Sequence, residues 1–98
     1  MSLYSILENA IESGADSIEM EFVSEGLEVT YMSGYFGLGE VIEDKETIGE
    51  ILGELIDRAK LENKSRGTFE WSYGGESYKI RVSEYENFGE SAFRLKLK

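Results

Sequence analysis

The chain has neither cysteine nor histidine, so its chemistry rests on carboxylates, lysines, arginines and hydroxyls. That excludes thiol nucleophiles, disulfides and zinc sites of the Cys/His kind. The serines and threonines have no imidazole to take their proton, and no Ser-x-x-Lys comes with the motifs that would make lysine the base. Acids are plentiful, and two sets share a surface: Glu19 with Glu21 on a strand, and Glu50 with Glu54 and Asp57 on a helix. A catalytic carboxylate pair needs one member desolvated in a cleft. Both sets fall on the solvent side of their elements. Glu40, Glu43 and Asp44 lack the spacing of a calcium loop. The expectation is a chain with no catalytic residue, no metal and no cofactor.

Two groups remain. Gly34-x-x-Gly37-x-Gly39 has the look of a phosphate loop but is followed by Glu40, Glu43 and Asp44, which repel phosphate, and lacks a Lys-Ser/Thr. It reads as a connection, in which Tyr35 and Phe36 are large apolar residues suited to a partner. The second group is basic. Lys79, Arg81, Arg94, Lys96 and Lys98 all take the polar positions of two alternating segments near the C-terminus. If those segments pair, one sheet face carries a cationic stripe for an anion or an acidic partner, with Glu70 as the nearest balancing charge.

The elements that must position these residues follow from periodicity. Leu3, Ile6, Leu7, Ala10 and Ile11 give a helix over 2–13, capped by Ser2 and ended by Gly14. Ile18, Met20 and Phe22, then Leu27, Val29 and Tyr31, alternate as a hairpin with one wet face. After the glycine-rich connection 33–39, Ile48, Ile51, Leu52, Leu55, Ile56 and Ala59 predict a helix over 47–62. Thr47 and Glu50 form its capping box, and Gly49 and Gly53 sit on a side that could approach a sheet. Three strands close the chain: Thr68–Tyr73, a Gly74-Gly75 turn, a strand through Tyr78, Ile80 and Val82, a polar loop Glu84–Glu90, and a strand through Phe93, Leu95 and Leu97. The reading is α+β, in the order αββαβββ, an antiparallel sheet of about five strands with two helices on one face. Alternation assigns most of the aromatic residues Tyr31, Phe69, Trp71, Tyr73 and Tyr78 to the core.

Ninety-eight residues make one domain, 1–98. No stretch reaches the roughly 18 apolar residues of a membrane span and no signal peptide is evident, which points to the cytoplasm. The net charge of −10 argues against nucleic acid. It is unevenly placed: residues 1–57 carry −13 and residues 58–98 carry +3.

The succession of motifs resembles the N-terminal, PAS-like domain that precedes the RecA-type core of type II secretion and type IV pilus ATPases. A family segment of the form Gly-Ala-Ser-Asp-apolar-His-apolar is matched by Gly14-Ala15-Asp16-Ser17-Ile18-Glu19-Met20. The strand and Gly-x-Leu turn that follow are matched by Leu27–Met32 and Ser33-Gly34-Tyr35-Phe36. The next helix corresponds to 47–62. The last strands correspond to Gly67-Thr68-Phe69-Glu70-Trp71, Lys79-Ile80-Arg81-Val82 and Phe93-Arg94-Leu95. The likeness covers nearly the whole chain. Glu19 stands where the family has histidine, Val29-Thr30-Tyr31 replaces its arginines, and no Gly-x-x-x-x-Gly-Lys-[Ser/Thr] of an ATPase core is present. The resemblance implies a non-catalytic module that docks an ATPase core, or another secretion or pilus component. Arg81 and Arg94 match arginines that sense nucleotide at a subunit junction, here only in trans. The alternative is a PAS-type sensor holding a small molecule among Met20, Tyr31, Trp71 and Tyr78.

Overall fold

The computed structural model describes residues 1–97; Lys98, the last member of the basic stripe, lies outside them. Eight elements follow in the order αβββαβββ: α1 (Leu3–Glu12), β1 (Ser17–Val23), β2 (Gly26–Ser33), β3 (Phe36–Ile42), α2 (Lys45–Ala59), β4 (Arg66–Tyr73), β5 (Glu76–Asn87) and β6 (Glu90–Leu97). The strands form one antiparallel sheet ordered β3-β2-β1-β6-β5-β4. The α+β class and the two helices on one sheet face are as expected. The sheet has one strand more.

That strand is the supposed glycine connection. Ser33 pairs with Phe36 across Gly34-Tyr35, and Gly34 has φ +62°. Glycine at the first position of a two-residue turn is what a tight hairpin asks for. Alternation fails as a signal because Gly37 and Gly39 hold one face of β3, and the Phe36 and Leu38 of the other are exposed. The loop expected at Glu84–Glu90 is likewise mostly strand. Tyr85 opposes Ala92 and Glu86 opposes Ser91, and the turn shrinks to Phe88-Gly89.

Both helices start on a side-chain cap. Ser2 accepts from the Ser5 amide, and Ser5 returns a bond, closing a capping box. In α2 the cap is Asp44 rather than Thr47: its carboxylate accepts from the Thr47 amide at 3.0 Å and from the Thr47 hydroxyl. Those bonds hold the Asp44 carboxyl below its ordinary pKa. The core lies between helices and sheet, with Leu3, Ile6 and Leu7 of α1, Ile51 and Leu55 of α2, and Ile18, Met20, Val29, Ile80 and Leu95 of the strands all buried.

Gly49 and Gly53 face solvent, not the sheet, and a Cβ on either meets nothing within 4 Å. They therefore only weaken α2. Gly49→Ala and Gly53→Ala are each expected to stabilise the fold by about 1 kcal/mol, read as a higher urea midpoint with an unchanged slope. Phe88 is the opposite kind of residue. It is fully exposed and sits at φ +54°, a conformation that bulky side chains avoid. Phe88→Gly should add about 1 kcal/mol, seen as a rise in Tm.

Candidate functional site

The site is built on the sheet face that no helix covers. Residues alternate along each strand, so Glu19 and Glu21 of β1, Glu28 of β2, Arg66, Thr68 and Glu70 of β4, Lys79, Arg81, Ser83 and Tyr85 of β5, and Arg94 and Lys96 of β6 share it. The register divides this face by charge. Acids occupy the β1–β2 side and bases the β4–β6 side, with one row running Arg66, Ser83, Arg94, Glu19 across four strands. At the seam, Arg94 Nη2 meets Glu19 Oε2 at 3.1 Å, and among the described residues this is the one ion pair. Arg94 also lies over the Tyr85 ring, 5.7 Å from its centroid. Burial and the nearby Glu21 carboxylate raise the Tyr85 pKa, so its hydroxyl stays protonated.

The adjacent row places Arg81 directly opposite Lys96. Like charges facing each other across an antiparallel pair are destabilising. Among the described residues no carboxylate pairs with either. Together with Arg66 and Arg94 they line a shallow concavity of about 650 Å³. It runs over the β4 edge to Lys60 and Lys64, so six cations and no acid line it.

Three of those six were not singled out in the sequence. Lys60 and Lys64 lie in the link between α2 and β4, which carries Glu62 as its only acid, and Arg66 opens β4. That bias was the available signal, but periodicity gives no reason to bring a helix end beside strands 15 to 30 residues later. Two contacts do so. The end of α2 turns through Lys60 at φ 57°, where the Lys60 amide donates to Asp57 O and the Leu61 amide to Ile56 O, and Leu61 is buried behind the turn. Gly67 then lets β4 approach so closely that a Cβ there would stand 1.9 Å from Ala59 O.

Arg58 ties the same corner from the other side. It donates to Tyr4 Oη and, at 3.0 Å, to Glu70 O, and its guanidinium lies 4.9 Å from the centre of the Phe69 ring. Tyr4 in turn donates to Glu54 Oε2 at 2.7 Å, and that bond is the main reason its pKa is raised.

Of the residues proposed from sequence, Arg81, Arg94 and Lys96 come together in the concavity. Lys79 shares the face but lies outside it, opposite Glu70. Tyr35 and Phe36 are fully and largely exposed, on the far edge of the sheet, so they form no single site with the bases. Glu40, Glu43 and Asp44 do not converge: among the described residues no three carboxylates are grouped to hold a metal ion. The aromatic set is less buried than alternation implied. Only Phe69 is fully buried, whereas Tyr31, Trp71 and Tyr78 are partly buried against the core; Trp71 stacks on Tyr73 at 5.4 Å, and Tyr73 donates to Glu12 at the end of α1. No helix is long and apolar enough to cross a membrane among the described residues. Neither the protein-family models nor the curated proteins compared with the chain give a match.

Proposed function

We propose that this domain is a non-catalytic interaction module that docks an acidic protein surface on its cationic groove. The partner in this reading is an ATPase core or another secretion or pilus component, as the resemblance to the N-terminal domain of those ATPases implies. One observation carries it: Arg81 faces Lys96, among the described residues with no carboxylate paired to either, in a concavity lined by six cations. A sheet could place a neutral residue or an acid at either position and be more stable. An external acidic surface relieves the repulsion and explains the arrangement. The net charge of −10 directs this groove toward a compact acidic patch, since a long polyanion meets the acidic remainder of the surface.

The test is titration of the chain against a RecA-type secretion or pilus ATPase core freed of its own N-terminal domain, at low and high salt. Binding that weakens steeply with salt supports the reading. No binding, or binding indifferent to salt, overturns it.

The sensor reading has less support. Met20 opposes Phe93, which opposes Glu84, and Tyr78 lies six residues along β5 from Glu84, roughly 20 Å away. Met20 and Tyr78 are thus too far apart to face one small ligand. Tyr31 is already engaged, donating to Glu40 Oε2 at 3.0 Å, with a pKa raised by burial to about 12.

A further inference from the structure

The two edges of the sheet are finished differently. At the β4 edge the outward carbonyl of Glu70 is capped by Arg58, and Gly67 is packed beneath Ala59. The β3 edge has no such cover. Since Ser33 and Phe36 close a two-residue turn as a hydrogen-bonded pair, the bonds to β2 fall at Phe36, Leu38, Glu40 and Ile42. The N–H and C=O groups of Gly37, Gly39 and Val41 therefore point away from the sheet. Natural edges are guarded most often by lysine, by proline or by a bulge. β3, with the sequence Phe-Gly-Leu-Gly-Glu-Val-Ile, has none of these, and its one charge, Glu40, is held by the Tyr31 hydroxyl.

The two sides of this edge differ in chemistry. On the helix side Phe36 and Leu38 are 82 % and 72 % exposed, beside a small groove of about 170 Å³ lined with Ala15 and Tyr31. On the open side two glycines leave room that the Met32 and Thr30 side chains of β2 lean into, with the Glu28 carboxylate beside them: a Cβ on Gly39 would lie 3.4 Å from Glu28 Oε2. Glu28 makes no ion pair among the described residues.

We infer that β3 is a docking edge for an extended segment that alternates apolar residues with lysine or arginine. Such a strand, added about 4.8 Å beyond β3, bonds to the free groups of Gly37, Gly39 and Val41. Its apolar residues turn toward Phe36 and Leu38, and its basic residues turn toward Glu28. The protein already contains this arrangement once. β6 alternates Phe93, Arg94, Leu95 and Lys96 and pairs with β1, burying Phe93 and Leu95 on the helix side while Arg94 meets Glu19 on the open side. A second copy is a poorer occupant, because β3 brings no lysine or arginine to meet Glu28. The site is separate from the cationic groove, which lies at the opposite edge of the sheet, and does not depend on the function proposed for it.

The test is backbone amide exchange in the labelled full chain, with a capped seven-residue peptide alternating valine or isoleucine with lysine or arginine. Exchange at Gly37, Gly39 and Val41 should slow at least about tenfold, and a peptide of the same residues in block order should do nothing. Gly39→Pro removes one outward donor without touching the bonds to β2, and Leu38→Lys alters an exposed side chain. Each should abolish protection while the melting curve stays in place, and Glu28→Lys should weaken binding about tenfold. Three results overturn the inference: no protection at these amides, protection that survives both Gly39→Pro and Leu38→Lys, or protection that rises with protein concentration when no peptide is present.

Discussion

Gly67→Ala is expected to lower stability by about 3 kcal/mol and to disrupt the cationic groove at the same time. The Cβ it introduces would stand 1.9 Å from Ala59 O and 2.9 Å from Ala59 C, both backbone atoms that no rotamer change can move. Either β4 withdraws from β5 or the last turn of α2 lifts. Lifting α2 exposes Ala59 and Leu61, both buried, and strains the Arg58 bonds to Glu70 and Tyr4. For a domain of this size the change amounts to a fall in Tm of roughly 15 °C, with the urea midpoint falling in step. Gly49→Ala makes the same chemical change within α2, with nothing within 4 Å, and is expected to move the midpoint the other way. Equal effects at the two positions would show that the close approach of α2 to β4 does not hold the groove together.

The largest effect on binding is expected from the double variant Arg81→Glu, Arg94→Glu. Each reversal removes a cation from the groove and puts a carboxylate against the acidic partner. Affinity for the ATPase core should fall at least about 100-fold at low salt, and the salt dependence should flatten as the attraction that salt screens disappears. The fold should survive. Both residues are exposed on the uncovered sheet face, and Arg81→Glu sets an acid opposite Lys96, which removes a like-charge contact. The Arg94 change breaks the exposed ion pair with Glu19 and sets two glutamates opposite each other, together a cost of about 1–2 kcal/mol. The chain with Lys79→Glu is the internal control, since Lys79 lies on the same face but outside the concavity. If that single change weakens binding as much as the double variant, the interaction depends on overall charge and not on the groove.

The sequence alone determined the helices, four of the six strands as separate segments, and the side of the sheet on which the charged residues within those segments lie. Periodicity carries that information because a strand sends alternate side chains to opposite faces and a helix sends every third or fourth to one. The basic stripe through Arg81, Arg94 and Lys96 was legible for this reason. The fifth strand segment, 76–87, was legible in its apolar half only, since Glu84, Tyr85 and Glu86 look like loop until β6 lies beside them. β3 was not legible at all: a strand whose pleat alternates glycine with exposed apolar residues has no buried face to set its pattern.

What only the tertiary structure decided is which charges become neighbours. Strand order joins β6 to β1, making Glu19 the partner of Arg94, 75 residues later, and the boundary between the acidic and basic halves. The closeness of Ala59 to Gly67 brings Lys60 and Lys64 beside Arg66, turning a stripe into a concavity. Both are long-range contacts, fixed by packing rather than by any local preference of the residues involved. The face is therefore written in the alternation of single strands, while the groove exists only where those strands and the end of α2 meet.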